Sequence, residues 1–228
     1  MHSLTKYIGG HGTSIGGIVV DGGNFDWIKN RKRQPLLNEP DQSYGGAIWA
    51  DAVPQLTGAN IPFVIRLRVV LLRDTGAPLA PFNAWQIIQG LETVGLRMKQ
   101  HCSNAEKVVT FLETQKKVKN VIYPTNHQGE IKERALRYMK GGYGSLVGMD
   151  VGTKENGAKF INNLKMLYHV ANIGDARSLA IHPATTTHSQ LNDEELLAAG
   201  VTPGYVRLSI GIEHPDDIVA DIKQALAA

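Results

Sequence analysis

Residues 3–12 read SLTKYIGGHG, and this stretch carries more chemical information than any other part of the sequence. Lys6 follows two hydroxyl residues, Ser3 and Thr5, and precedes a run of glycines. A lysine packed beside an aldehyde can form an imine with it and later act as a base. Hydroxyl groups can bind a phosphate on the same molecule. If the segment is extended, Ser3 and Thr5 lie on one side of it. A turn after them then brings Lys6 towards the aldehyde of the bound molecule.

Two later segments carry further candidate residues. Residues 206–213 read VRLSIGIE, and residues 172–183 read NIGDARSLAIHP. The planar guanidinium of an arginine such as Arg207 makes two parallel hydrogen bonds to a carboxylate. Amino-acid substrates need such an anchor, because it orients the bonds at Cα.

Taken together, these motifs resemble the Cys/Met-metabolism family of pyridoxal-phosphate (PLP)-dependent enzymes, and within it the O-acetylhomoserine sulfhydrylase branch. The similarity covers essentially the whole chain, including residues 39–44, 71–74, 81–84, 89–98 and 182–190. One departure is Gly46, where we expect histidine. The resemblance implies that Lys6 is the catalytic Schiff-base lysine and that Ser3, Thr5 and Lys6 bind PLP. It also implies that Arg207 and Ser178 bind the substrate.

The fold that the resemblance implies is α/β, namely the PLP-dependent transferase fold type I. Residues 1–100 are then the C-terminal part of the large PLP-binding domain, with Lys6 and the start of a long connecting helix. Residues 101–228 form the smaller C-terminal α+β domain, which carries Arg207.

The activity that the resemblance implies is γ-replacement on O-acetyl-L-homoserine by sulfide or methanethiol, which gives homocysteine or methionine. The same scaffold supports cystathionine and methionine γ-lyases, so that activity is an alternative. The family also implies a homotetramer as the assembled state.

The family's N-terminal half is missing from this sequence. That half carries the aspartate that pairs with the pyridinium nitrogen, and neither Asp21 nor Asp26 matches its position. We therefore expect exposed apolar surface where that half would pack. A second alternative follows, in which the chain is a non-catalytic fragment that needs a separate N-terminal chain.

Composition excludes several other classes of protein. The 228 residues are 43% hydrophobic, carry a formal net charge of +3 and include one cysteine, Cys102. We expect a soluble, cytoplasmic protein with small-molecule partners and no nucleic acid, membrane or metal ligand. His182 and His188 lack an acidic partner at metal-ligand spacing, and the basic cluster at residues 29–33 is typical of a solvated loop.

The clearest predicted element is a helix over residues 81–115, with Pro81 at its first position. Its apolar residues recur at helical spacing, namely Ile88, Leu91, Val94, Met98, Cys102, Ala105, Val109 and Leu112. Gly90 and Gly95 inside it indicate close approach of another backbone, and its length indicates a bend or break. We predict strands over 15–20, 118–123, 145–151, 166–173, 178–181 and 205–210, a loop over 29–46, and helices over 131–139, 155–164, 193–199 and 216–226.

Overall fold

The computed structural model describes all 228 residues, and the chain packs as two compact units. The first unit contains residues 1–3 and 16–84, and the second contains residues 4–15 and 85–228. Our predicted domain boundary lies after residue 100 instead, so the packing units and the predicted domains divide the long helix at different points. The domain boundary stays a prediction.

Short elements build the first unit. They are β1 (His2–Ser3), β2 (Gly17–Ile18), α1 (Pro35–Asn38), α2 (Trp49–Thr57), α3 (Pro62–Arg66) and α4 (Arg73–Thr75), and a π-helical segment, Leu67–Leu72, joins α3 to α4. The two strands pair antiparallel. The buried centre is formed by Leu37, Trp49 and Val53. Trp49 is fixed there because its indole N–H donates to Asp41 Oδ2 at 2.9 Å.

Two predictions for the first unit were wrong in extent. Only residues 17–18 of the predicted strand 15–20 pair with another strand, and Ile15 is 81% exposed. The predicted loop 29–46 contains α1 and two 3₁₀ turns, Arg31–Arg33 and Gln42–Tyr44. Arg31 from the basic cluster makes two hydrogen bonds to Asp51, at 2.7 and 2.9 Å, which is a structural use of that charge.

The long helix α5 (Pro81–Glu113) begins at the predicted proline and continues without the break that we expected. The predicted apolar stripe is correct in its second half, where Cys102, Ala105, Val109 and Leu112 are buried. It is wrong in the first half, because Ile88 and Leu91 are 54% and 51% exposed. There the helix instead buries Ile87, Gly90 and Arg97.

The rest of the second unit is a five-stranded sheet with helices. Its elements are β3 (Asn120–Ile122), α6 (Gly129–Tyr138), β4 (Leu146–Asp150), α7 (Lys154–Asn163), β5 (Tyr168–His169), β6 (Leu179–Ile181), α8 (Asp193–Ala198), β7 (Tyr205–Ser209) and α9 (Pro215–Ala227). The strand order is β3-β4-β7-β6-β5, and every pair is antiparallel except β5–β6. Eight of these nine elements lie within two residues of their predicted bounds. The exception is β5, which is much shorter than the predicted strand 166–173.

The two faces of this sheet have different surroundings. Alternate residues such as Val147, Met149, Val206 and Leu208 face a single core together with side chains from α5, α7 and α9. Since side chains alternate along a strand, Arg207 points to the opposite face. The cross-strand neighbours of Arg207 are Gly148 on β4 and Ile181 on β6. The sheet thereby holds the predicted substrate arginine away from the apolar core.

No single helix is both long enough and apolar enough to cross a membrane. Only the segments 49–57 and 62–75, bent by 101° at their junction, pass that test when they are taken together.

Candidate active site

Lys6 lies within a short helical turn, Leu4–Ile8, rather than in the extended segment that we expected. Its backbone (φ −86°, ψ −133°) departs from helical geometry in the middle of that turn. The turn is closed by hydrogen bonds from Gly9 N to Leu4 O at 2.8 Å and from Gly10 N to Lys6 O at 2.7 Å. The expected turn at the lysine is therefore present, but Ser3 and Thr5 do not follow the alternation of a strand.

The predicted phosphate ligands lie in different units. Ser3 is exposed and ends β1 in the first unit, whereas Thr5 is half-buried in the second. Thr5 lines a small cavity beside the glycine turn together with Gln86 and Ile87 of α5. Of the two hydroxyl residues, the second unit thus contains only Thr5 with Lys6.

Asn172 contacts both Lys6 and Arg207, the predicted catalytic lysine and the predicted substrate-binding arginine of the second unit. Lys6 Nζ donates a hydrogen bond of 2.5 Å to Asn172 Oδ1, and Arg207 Nη2 donates one of 3.4 Å to the backbone oxygen of Asn172. No carboxylate lies within ion-pair distance of either cation. The structure therefore brings Lys6 and Arg207, 201 positions apart in the chain (207 − 6), to one shared residue.

A groove opens beside Arg207 on the face of the sheet away from the core. Its volume is about 540 Å³, and α6 forms its other wall. Ile131, Ala135 and Met139 line that wall, and Tyr205 lies next to Arg207 on the sheet. Burial raises the pKa of Tyr205, partly offset by the charge of Arg207, so its hydroxyl stays neutral near pH 7. The arginine thus borders a cavity with largely apolar walls.

Ser178 is fully buried, and its hydroxyl is engaged within the chain. Its Oγ donates to Glu213 Oε2 at 2.8 Å and accepts from Gly211 N at 2.8 Å, while its backbone N–H donates to Glu213 Oε1 at 2.6 Å. These bonds tie the loop before β6 to the chain that follows Arg207. In this arrangement Ser178 positions the arginine strand, and its predicted contact with substrate stays a prediction.

Three polar residues on one face of α5 hold the segments that carry Lys6 and Arg207. Arg97 donates to the carbonyl oxygens of Tyr7 at 2.8 Å, Ile8 at 3.2 Å and Gly90 at 2.6 Å. His101 Nδ1 lies 2.6 Å from Ile210 O. Asn104 Nδ2 donates to the carbonyl oxygens of Gly211 at 3.0 Å and Glu213 at 2.8 Å. We call Arg97, His101 and Asn104 the polar column of α5.

Sequence reasoning missed the polar column and Asn172. The signal that could have found the column is its spacing, since residues 97, 101 and 104 recur at helical steps beside Gly90 on a face that must be buried. A buried polar group has to be hydrogen-bonded, so polar residues on such a face indicate that a neighbouring backbone is being held. Asn172 is the first residue of the segment 172–183, but nothing in the sequence indicates that it contacts Lys6.

The residue after the lysine is also fixed from several sides. Tyr7 Oη and Ser145 Oγ lie 2.8 Å apart, and the ring of Tyr7 meets the ring of His101 edge-on at 5.5 Å. Burial raises the pKa of Tyr7, and the hydrogen bond with Ser145 offsets part of that rise. Tyr7 is therefore a neutral, packed anchor at neutral pH, which holds the backbone of Lys6 in place.

We expect the stability of the chain to fall as the pH drops from 7.5 to 5.5. Burial lowers the pKa of both His101 and His182, which are fully buried, while an unfolded histidine titrates near 6.5. The unfolded state then binds more protons below about pH 6.5, so the free energy of unfolding decreases on acidification, by on the order of 1 kcal/mol. Urea titrations at the two pH values measure the loss.

The matched variants are His182→Gln and His2→Gln. The first removes a buried histidine and should reduce the pH dependence, whereas the second removes an exposed one and should leave it unchanged. Equal urea midpoints for the unmodified chain at pH 7.5 and 5.5 would contradict the prediction.

Comparisons with known proteins agree on the family of this chain. The family described as Cys/Met metabolism PLP-dependent enzyme matches residues 1–227. An O-acetyl-L-homoserine sulfhydrylase from Leptospira meyeri is 48% identical over 99% of this chain and 52% of its own length. A homocysteine synthase from Schizosaccharomyces pombe is 45% identical over 99% and 52%, respectively. The chain spans about half the length of the curated relatives it matches.

A solved structure extends the agreement to the fold. It is that of a protein from Campylobacter jejuni assigned as an O-acetylhomoserine (thiol)-lyase, and it contains N'-pyridoxyl-lysine-5'-monophosphate. The TM-score is 0.85 at 40% identity, over 100% of this chain and 53% of that one. The predicted α/β fold of type I is thereby confirmed, and the chain belongs to the Cys/Met-metabolism family of PLP-dependent enzymes.

Proposed function

We propose that this chain supplies the cofactor lysine and the substrate-binding arginine of a PLP-dependent transferase. The reaction is γ-replacement on O-acetyl-L-homoserine by sulfide or methanethiol, with homocysteine or methionine and the released acetate as products. The observation that carries the proposal is the meeting of Lys6 and Arg207 at Asn172, with neither cation paired to a carboxylate. The names of the relatives supply the choice of substrate.

The residues present fit PLP and an amino-acid substrate. Lys6 offers a primary amine whose hydrogen-bond partner is a neutral amide oxygen, so it is not locked in an ion pair. Arg207 borders a groove and keeps most of its N–H donors for a ligand carboxylate. Ser3 and Thr5 are the proposed phosphate ligands. When bound, PLP supplies a ring that withdraws electrons from the substrate Cα.

Each of the proposed site residues then has a defined role. Arg207 binds the α-carboxylate and thereby orients the Cα–H bond. Lys6 Nζ takes the proton from Cα and returns it later in the reaction. Ser178, through Glu213 and Gly211, keeps the end of β7 in place so that Arg207 stays aligned.

We further propose that turnover needs an assembly larger than this chain. Trp85, Ile88 and Leu91 on α5 are 55%, 54% and 51% exposed, which is an apolar surface that a partner would cover. A separate N-terminal half and further copies of the chain, up to a tetramer, are the proposed partners. The single cysteine fits a reducing compartment, and we place the assembly in the cytoplasm.

The test of the proposal is covalent trapping. The chain is mixed with PLP, reduced with borohydride and digested, and its peptides are analysed by mass spectrometry. The variant Lys6→Ala is treated in the same way. We expect one modified residue, Lys6, and no modification of the variant at that segment. Modification spread over many surface lysines, or equal labelling of the Lys6→Ala variant elsewhere, would contradict the proposal.

Product analysis then separates the activities. The chain, with and without a supplied N-terminal half, is incubated with O-acetylhomoserine plus sulfide and, separately, with methionine alone. Homocysteine from the first mixture supports the transferase. Release of methanethiol from the second mixture alone would replace it with the γ-lyase.

A further inference from the structure

Asn172 occupies a special place between the two cations of the site. It lies in the loop between β5 and β6, and its side-chain oxygen accepts from Lys6 while its backbone oxygen accepts from Arg207. The residue is half-buried. A single residue therefore contacts both the amine and the guanidinium.

The loop that carries Asn172 is itself held against the lysine segment. Gly174 has φ +73°, and a Cβ on it would lie 2.7 Å from Tyr7 N, so only glycine allows this approach. Ala176 N donates to Gly10 O at 2.8 Å, and Gly174 N donates to Ser209 Oγ at 3.0 Å. The position of the Asn172 amide is thus set by the fold before any ligand binds.

The chemistry of an amide suits this position better than that of a carboxylate. An amide oxygen accepts a hydrogen bond from a lysine but carries no charge. A carboxylate at the same distance would stabilise the protonated amine and keep its lone pair from reacting. An apolar residue would leave the amine without a partner.

Other ionisable groups near the lysine segment are already engaged. Arg97 binds backbone carbonyls, Asp175 pairs with Arg177 at 3.2 Å, and His101 binds Ile210 O. Arg207 is the charged side chain that shares Asn172 with Lys6. Asn172 is consequently the contact through which a change of charge would reach the Lys6 amine directly.

We propose that Asn172 is a positioning residue, whose neutral side-chain oxygen holds the Lys6 amine beside Arg207 without pairing it to a negative charge. The role in catalysis rests on the proposed function, since it concerns the same lysine. The contact itself belongs to the chain alone, so it can be measured without cofactor.

The first measurement uses acetic anhydride as the probe, with no PLP present. Limited acetylation at a series of pH values, followed by peptide mass spectrometry, gives the pH at which Lys6 labelling is half-maximal. We expect Asn172→Asp to move that pH upward by about one unit or more. Asn172→Ala removes the acceptor without adding charge and should move it much less. Asn24→Asp adds a charge at an exposed residue of the first unit and should leave the profile unchanged.

The second measurement is the rate of borohydride-trapped PLP on Lys6 at pH 7.5. We expect Asn172→Asp to slow trapping about tenfold and to recover when the pH is raised, because one pH unit is a factor of ten in reactive amine. A folded Asn172→Asp variant, checked by circular dichroism, with the acetylation profile of the unmodified chain would overturn the inference. An upward shift in acetylation with no trapping of PLP in any variant would instead keep the contact and overturn the proposed function.

Discussion

Replacing Gly90 by alanine is expected to lower the free energy of unfolding by about 2–3 kcal/mol, as overpacking of a tight contact does. A Cβ at this position would collide with the carbonyl oxygen of Gly9 and lie 2.7 Å from that of Ile8. Both atoms are backbone, so they cannot yield as a flexible side chain does. The turn that carries Lys6 must therefore move away from α5, and borohydride trapping of PLP at Lys6 should fall with stability.

Gly95→Ala is the matched control on the same helix. A Cβ at Gly95 meets nothing within 4 Å, and alanine has a higher helix propensity than glycine. This variant should gain about 1 kcal/mol, so the two substitutions move the urea midpoint in opposite directions. A midpoint that rises in both variants would show that residues 8 and 9 do not approach the helix as described.

Replacing Arg97 by methionine is expected to cost about 2–4 kcal/mol, because each buried acceptor that loses its partner costs about 1–3 kcal/mol. The side chain is 6% exposed and satisfies the carbonyl oxygens of Tyr7, Ile8 and Gly90. Methionine keeps the apolar length of the side chain but leaves the carbonyl oxygens of Tyr7 and Ile8 without the donors that Arg97 supplies. Burial lowers the pKa of Arg97, yet its carbonyl partners still favour the donor-rich guanidinium.

The control for Arg97→Met is Lys99→Met, two residues along the same helix on its exposed side. It also removes one positive charge and adds one methionine, and its effect should stay within about 0.5 kcal/mol. Urea denaturation followed by circular dichroism compares the two variants. Similar losses in both would mean that net charge, and not the contact with the lysine segment, explains the Arg97 effect.

The sequence predicted which residues of the site matter, through the resemblance of their motifs to a family. That resemblance implies an imine-forming amine at Lys6 and a carboxylate anchor at Arg207, and the fold brings both side chains to Asn172. Ser178 shows the limit of that reasoning. A hydroxyl can bind a ligand or a neighbouring residue, and only its burial against Glu213 reveals which contact it makes in this chain.

The long helix shows a second limit. Its start at Pro81 and its apolar second half follow from local sequence, but its first half buries Gly90 and Arg97 in place of Ile88 and Leu91. Apolar periodicity treats every large aliphatic side chain as a core residue. It cannot register a helix face that is buried because another backbone passes over a glycine, nor apolar residues that stay exposed in this chain.

The polar column of α5 sets a fixed distance between the segment that carries Lys6 and the segment that carries Arg207. Residues 97 and 104 are seven positions apart, which corresponds to about 10 Å along a helix axis at 1.5 Å per residue. Arg97, at one end, binds the backbone after Lys6, and Asn104, at the other end, binds the backbone after β7. A helix resists stretching far more than a loop does. Insertion or deletion of one residue between positions 97 and 104 would rotate one of these two side chains by about 100° around the helix axis relative to the other. The Lys6 amine and the Arg207 guanidinium would then be misaligned, whereas surface loops elsewhere can change length freely.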